Sequence, residues 1–531
     1  MTKIFESRVA DFNAGRIDRR TFIQAALALS TTLATASAVA SRIEAATPKR
    51  GGHLKVGLAG GSTTDSWDPA IYADTFMQML GLGMCFNCLT EVSASGELVP
   101  ELAESWEASS DAKTWTFDLR RDVTFHNGKP FGAADVVESI QHHMGEQSKS
   151  FAKTLVSRIR EMRIDNEHRI IFVLKGASAD FPYLLSDYHL TILPAGHKEE
   201  ALTKGIGTGG YVAESFDPGV RAVAKRNPNY FKPDRAYFDS VELIGVADST
   251  ARMTALLTGE VDVVNRVDLK TEHLLRRTKD VEIFEVTGNQ HFTFPMNTTL
   301  SPFDNNDVRL ALKYAIEREA LVQTILQGHG RVANDHPIGP ANRYYAADLE
   351  QHSYDPEKAK FHLKKAGLSS LSVKLSAADA AFAGAVDAAV LYAESARPAG
   401  IDIEVVREPN DGYWTNVWRK KPWCASYWSG RATADWMFTD AYAAGSGQNE
   451  TYWENESFNK LLVDARGELN ESKRREMYRE LQRIVRDEGG AVIPMYANYV
   501  DAASNKLAHG PAIGNIWQMD GARLAERWWF A

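Results

Sequence analysis

The sequence predicts an α/β fold, and three observations point there. Apolar residues alternate at period two in some stretches and recur at helical spacing in others, by turns along the whole chain. One segment of about 37 residues reads as strand, helix, strand. Such a crossover joins parallel strands, so part of the sheet is parallel. Finally, a chain of 531 residues exceeds what one hydrophobic core serves and implies two or three lobes.

Each element follows from its own pattern. In "HLKVGL" (53–58), Leu54, Val56 and Leu58 share a face, and in "TWTFDLR" (114–120) Trp115, Phe117 and Leu119 do the same. "RIIFVLK" (169–175) is a continuous apolar strand. The stretch 305–330 reads as one helix capped by Asn306 and closed at Gly328. "YDPEKAKFHLKKAG" (354–367) is a second, with Asp355 as cap, Pro356 in the first turn and Gly367 as stop. Met477, Leu481, Ile484 and Val485 form the stripe of a third. The crossover comprises a strand through Leu371, Val373 and Leu375, an Ala-rich helix broken at Pro398 and Gly400, and a strand through Ile401, Ile403 and Val405. Ligands of such sheets sit at the carboxyl ends of the strands.

The start of the chain carries a different signal. An apolar run of about 16 residues, Ala25 to Ala40, follows a polar front and ends among small residues at Ala36, Ala38 and Ala40. The run is too short and too rich in Ser and Thr for a spanning helix. Arg19-Arg20-x-Phe22 resembles the twin-arginine export signal. Residues 1–46 are therefore expected to be a cleaved signal peptide, with the mature protein in the periplasm. The whole chain has a formal charge of −9. The leader holds six Lys/Arg and four Asp/Glu, so the remainder carries −11. An acidic surface disfavours nucleic acid and anionic lipid as partners.

Catalytic and metal chemistry find little support. Cys85 and Cys88 are spaced like a redox or zinc half-site, but no second ligand pair accompanies them. A local disulfide and two packed thiols are the other readings. His142 and His143 adjoin on a helix and point to different faces. "GTGG" (207–210) lacks the Lys-Ser/Thr of a phosphate loop and reads as a turn. No Gly-x-Ser-x-Gly elbow appears. No cofactor, no metal and no enzymatic activity are expected.

Several ordered stretches point to one family. "LVPELAESWEASSDAKTWTFDLRRDVTFHNGKPFGAADVVESI" (98–140), "GTGGYVAESFDPGVRAVAKRNPNYF" (207–231), "MNTTLSPFDNNDVRLALKYAIER" (296–318), "YDPEKAKFHLKKAG" and "YWSGRATADWMFTDAY" (427–442) together resemble the large periplasmic solute-binding proteins of peptide and nickel ABC importers. Gly210 stands where that family has a proline, and Ala434 where it has the proline before an aspartate. The resemblance implies a two-lobed periplasmic-binding-protein fold of type II, with the chain crossing twice between lobes. Lobe one takes 48–285 plus 497–531, with 94–204 as an extra subdomain, and lobe two takes 286–496. It further implies a monomer that closes on a small-molecule ligand and hands it to inner-membrane permease subunits.

By position Asp435 is similar to the aspartate that receives a peptide ammonium in this family, and its removal is expected to weaken binding at least tenfold. A loop aspartate capping a turn is the bland reading. Arg431 suits a carboxylate as a bidentate partner. Trp428, Trp436, Trp67 and Phe86 are wall candidates, since rigid aromatics grip varied ligands; each is also a candidate for core. Peptides, opines and other amino-bearing solutes, and nickel chelates remain the competing ligand classes, with a periplasmic hydrolase as the enzymatic rival.

Overall fold

The structure is a computed structural model that describes residues 47–531. The signal-peptide reading of 1–46 falls outside the described residues. Among the described residues, no helix is long and apolar enough to cross a membrane.

A nine-stranded sheet runs through the molecule. Its order is Ser426–Trp428, Val281–Pro295, Ala491–Ser504, Val263–Val264, His53–Leu58, Ser240–Gly245, Arg221–Arg226, Tyr211–Asp217, and Gly330–Val332 adds to Ala491–Ser504. His53–Leu58 lies between two parallel neighbours, which is why Leu54, Val56 and Leu58 are all buried. Val281–Pro295 and Ala491–Ser504 are long antiparallel partners. They carry the chain between two large apolar cores. One core gathers Leu54, Phe76, Phe86, Val241 and Trp528, the other Phe294, Leu312, Leu375, Tyr392 and Trp423. The ladder shifts register between Thr287 and His291, opposite Asn498 and Tyr496. At that shift Gly288 lies under the Tyr499 ring, where a Cβ would sit 2.6 Å from it. A separate core of Phe117, Phe131, Ile140, Phe172 and Phe181 surrounds the four-stranded sheet of Ala103–Ala108, Thr114–Leu119, Arg169–Leu174 and Ile159–Asn166. We refer to this unit as the extra subdomain.

The crossover is present as Leu371–Ala377, the helix Ala385–Ala396 and Ile401–Arg407, with the strands parallel and Leu371 opposite Ile401. The expected single helix over 305–330 is instead two, Asn306–Tyr314 and Arg318–Ile325. Asn305, not Asn306, accepts at the first N-terminus. The break at Ala315–Glu317 buries Ile316 and frees Arg318 to reach Asp335 at 2.6 Å. The stripe on Glu471–Glu488 buries Leu481, Ile484 and Val485 as its pattern requires.

The first and last described segments pack together. Trp529 pairs with Ala508, and the Phe530 ring lies over Gly52, leaving no room for a Cβ there. Nearby, Lys232 Nζ lies between three buried carboxylates, at 2.6 Å from Glu91, 2.7 Å from Glu101 and 3.1 Å from Glu526. Arg523 and Arg527 complete the set, Arg527 reaching Glu91 at 2.8 Å and Asp520 at 3.0 Å. Glu91, Glu101 and Glu526 are near enough to one another to share a metal ion, but the lysine ammonium already fills the place such an ion would take.

Asp501, on the second crossing strand, accepts from the amides of Arg266 and Met519. Burial pushes its carboxyl up to about 6 against those two hydrogen bonds. The folded state thus favours the protonated form. Its contribution to stability is full below about pH 4 and is lost as pH rises through about 6. Between pH 4 and pH 7.5 the stability of Asp501→Asn relative to wild type is expected to improve by about 1–3 kcal/mol, on top of a pH-independent loss from turning its NH2 toward the Arg266 or Met519 amide. Denaturant titrations at the two pH values measure the difference.

Candidate functional site: the cleft between the lobes

Strand direction locates the cleft. Val281–Pro295 runs from the first core into the second, and Ser426–Trp428 runs antiparallel to it, back toward the crossing point. Ser376 bridges Cys424 in parallel, so Leu371–Ala377 and Ile401–Arg407 point the same way. The carboxyl ends of all three strands therefore face lobe one, where α/β sheets hold their ligands.

Trp428 ends its strand opposite His291, and a tight loop follows. Gly430 takes φ +84° and packs onto Asn289, with a Cβ position only 2.2 Å from that residue's own Cβ. Only glycine combines that conformation with that approach. Thr433 then caps the helix Ala434–Tyr442 by accepting from the Trp436 amide. The loop delivers Arg431 to the crossing point. Its guanidinium carbon lies 5.2 Å from the Trp428 ring and 5.3 Å from the Trp436 ring, both within cation–π range. Nε donates to Asp440 at 2.9 Å, Nη1 to the Gly430 carbonyl at 3.0 Å and Nη2 to Gln448 at 3.5 Å. Across the cleft, burial and then Asp187 raise the Tyr188 phenol, and the Arg431 charge opposes them. Tyr188 meets Trp517 edge-on at 5.1 Å.

Trp428 is held from behind by Glu450. That buried carboxylate accepts four hydrogen bonds: from Thr293 at 3.0 Å and Trp428 at 3.0 Å on one oxygen, and from Trp418 at 2.7 Å and Ser426 at 2.9 Å on the other. Burial raises its pKa and the four donors work against that rise. Both indoles are donor-only groups. The amide of Glu450→Gln must turn its NH2 toward one of them, so about 1–3 kcal/mol of stability is expected to be lost. Denaturation measures the loss, and a shift in tryptophan emission reports the released indole.

Asp435 is only 1% exposed, and both its oxygens are engaged. Arg158 of the extra subdomain donates to Oδ2 at 2.8 Å and Arg466 to Oδ1 at 2.7 Å. The arginines hold its carboxyl below the usual range despite burial. It is neither open to the cleft nor the cap of its helix, a role that Thr433 performs. Trp436, one residue on, is half-buried against the extra-subdomain core. Trp67 and Phe86 are 6.3 Å apart in the lobe-one core, Trp67 with Phe216 at 4.9 Å and Gly205 beneath its indole. They line that core, which corrects the expectation of a cleft wall. The reason is the 207–210 turn: Gly207 and Gly209 press onto Cys85 and Phe86 and seal them in. Cys85 and Cys88 are buried free thiols, and burial pushes Cys85 to about 12, which leaves it unreactive. His142 pairs with Asp68 and His143 with Ser150.

Arg158, Asp180, Arg343, Glu450, Arg466, Arg474 and Tyr188 were not reached from sequence. Their partners lie far along the chain, and nothing in a local window distinguishes them from surface charges or core.

Residues 97–450 match the model of the bacterial extracellular solute-binding proteins, family 5. The chain belongs to that family. Among relatives of this family 5 protein, a di/tripeptide-binding protein 1 of Pseudomonas aeruginosa is 26% identical over 473 residues, covering 80% of this chain and 85% of the relative. A nickel-binding periplasmic protein of Escherichia coli is 30% identical over 312 residues, covering 56% and 58%. Among solved structures, the binding protein AgaA of A. tumefaciens R10, in complex with agropinic acid, superposes with a TM-score of 0.75 at 22% identity, covering 90% of this chain and 99% of that one. The two-lobed α/β architecture is thus that of the family 5 binding proteins.

Proposed function

We propose that this family 5 protein is the periplasmic substrate-binding component of an ABC importer. It captures a di- or tripeptide or a related small amino-bearing solute between its lobes and delivers it unaltered to the permease. The observation that carries the reading is the placement of Arg431. An arginine braced between two indoles stands where Val281–Pro295 and Ala491–Ser504 carry the chain between the two lobes. Arg431, Trp428 and Trp436 are the proposed contacts, with Tyr188 and Trp517 opposite them. The ligand's carboxylate meets the guanidinium at Nη2 and displaces its long 3.5 Å contact with Gln448. Residues 1–46 serve as the export signal, of twin-arginine type, and the protein acts as a monomer.

A second reading has a specific basis. The positive group at the cleft equally suits an opine or another aminocarboxylate, and AgaA shares the fold with agropinic acid bound. Nickel in chelated form is a third class, represented by the E. coli relative. Native mass spectrometry of the purified protein, followed by melting-temperature shifts across peptides, opines and nickel–histidine, separates them. Stabilisation without turnover is the expected result. Cleavage of any added peptide, or no shift with any of the three classes, refutes the reading.

A further inference from the structure

We propose that Asp435 is a positioning residue: it locks the extra subdomain onto lobe two and so seats Trp436 and Arg431, rather than receiving charge from the ligand. The inference rests on reading the cleft as the binding site. Two ion clusters join the extra subdomain to lobe two. In the first, Asp435 of lobe two holds Arg158 of the subdomain and Arg466 of its own lobe, and Arg466 also donates to Thr439 at 2.9 Å. The carbonyl of Arg466 accepts from the Ala179 amide at 2.7 Å, a main-chain bond across the same seam. In the second, the charges are exchanged. Asp180 of the subdomain holds two lobe-two arginines, Arg343 at 2.8 Å and Arg474 at 3.0 Å. Arg343 further donates to the Tyr183 hydroxyl at 3.2 Å and stacks over that ring at 4.4 Å.

Opening the cleft at this seam parts Asp180 from both of its arginines and Asp435 from Arg158. A carboxylate spent in this way is a poor receptor for an ammonium, because an arginine must first be displaced. It is well suited to hold geometry. The next residue, Trp436, crosses the same seam to pack on the subdomain core, and Arg431 stacks on Trp436. Breaking the lock therefore releases one wall of the arginine's cradle.

Two measurements test this. Small-angle X-ray scattering of the ligand-free protein compares wild type with Arg158→Met, Arg158→Lys and Asp180→Asn. The methionine and asparagine variants are expected to be measurably larger than wild type with unchanged helical content, and the lysine variant to recover part of the compaction. Scattering curves identical to wild type overturn the proposal. Calorimetry with Ala-Phe and N-acetyl-Ala-Phe then separates holding from receiving. Arg158→Met and Asp435→Asn are expected to weaken both peptides by the same factor, about tenfold or more. If Asp435→Asn weakens only the free-amine peptide, Asp435 is a ligand group and the proposal fails. If neither peptide binds wild type, the peptide reading of the function is what fails, and the scattering result alone decides the lock.

Discussion

Lys232→Met is expected to destabilise lobe one by about 3–5 kcal/mol, because it leaves Glu91, Glu101 and Glu526 buried around an apolar side chain. Burial alone lowers a lysine's pKa. Here the carboxylates of Glu101, Glu526 and Glu91 overcome that and raise the Lys232 pKa well above its ordinary value. Arg523 and Arg527 cannot replace it, since each is already committed to the same acids. Urea titration with a probe of lobe one measures the loss. Adding Glu526→Gln to Lys232→Met removes one stranded carboxylate and is expected to restore part of the stability, which a simple packing defect does not predict. A loss below about 0.5 kcal/mol, the level of an ordinary surface change, sinks the argument.

Arg431→Ala is expected to weaken binding of the best ligand from the melting-shift panel by about 10–100-fold, the worth of one charge-assisted contact in a site closed to water. Arg431→Lys is expected to recover only part of this. A lysine ammonium keeps the charge but neither fork nor plane, and it loses the stack between Trp428 and Trp436. The ligand-free protein is expected to lose about 1–3 kcal/mol of stability, because buried Asp440 is left without its arginine and the bonds to Gly430 and Gln448 go with it. Unchanged calorimetric affinity in the alanine variant removes Arg431 from the site.

How much of this was legible in the sequence depends on distance along the chain. The strand at 53–58, the crossover at 371–407 and the cap at Asp355 rest on local patterns, and all formed as read. The helix over 305–330 failed because its apolar spacing continues through Ala315–Ile316 while the backbone breaks there to bury Ile316. At the cleft, the stretch 428–436 was found because it resembles the family's Gly-Trp and Asp-Pro-Asp segment. Its internal roles were not readable. Asp435 resembled a ligand group, yet its partner Arg158 lies 277 residues away, and no window of sequence contains both. Glu450 was missed for the same reason, since its four donors come from three other segments. Trp67 and Phe86 read singly as core more readily than as wall, and the glycine turn packed against Phe86 is what puts them there.

The packing of Phe530 over Gly52 has a practical reach. With residues 1–46 removed, a short linker can join the segment at Gly52 to Phe530 and the chain can be cut elsewhere, so a circular permutant is within reach. Fluorescent reporters could then be inserted at exposed turns on opposite jaws, while the native ends stay tethered on one side of the molecule and the bite is left free to move.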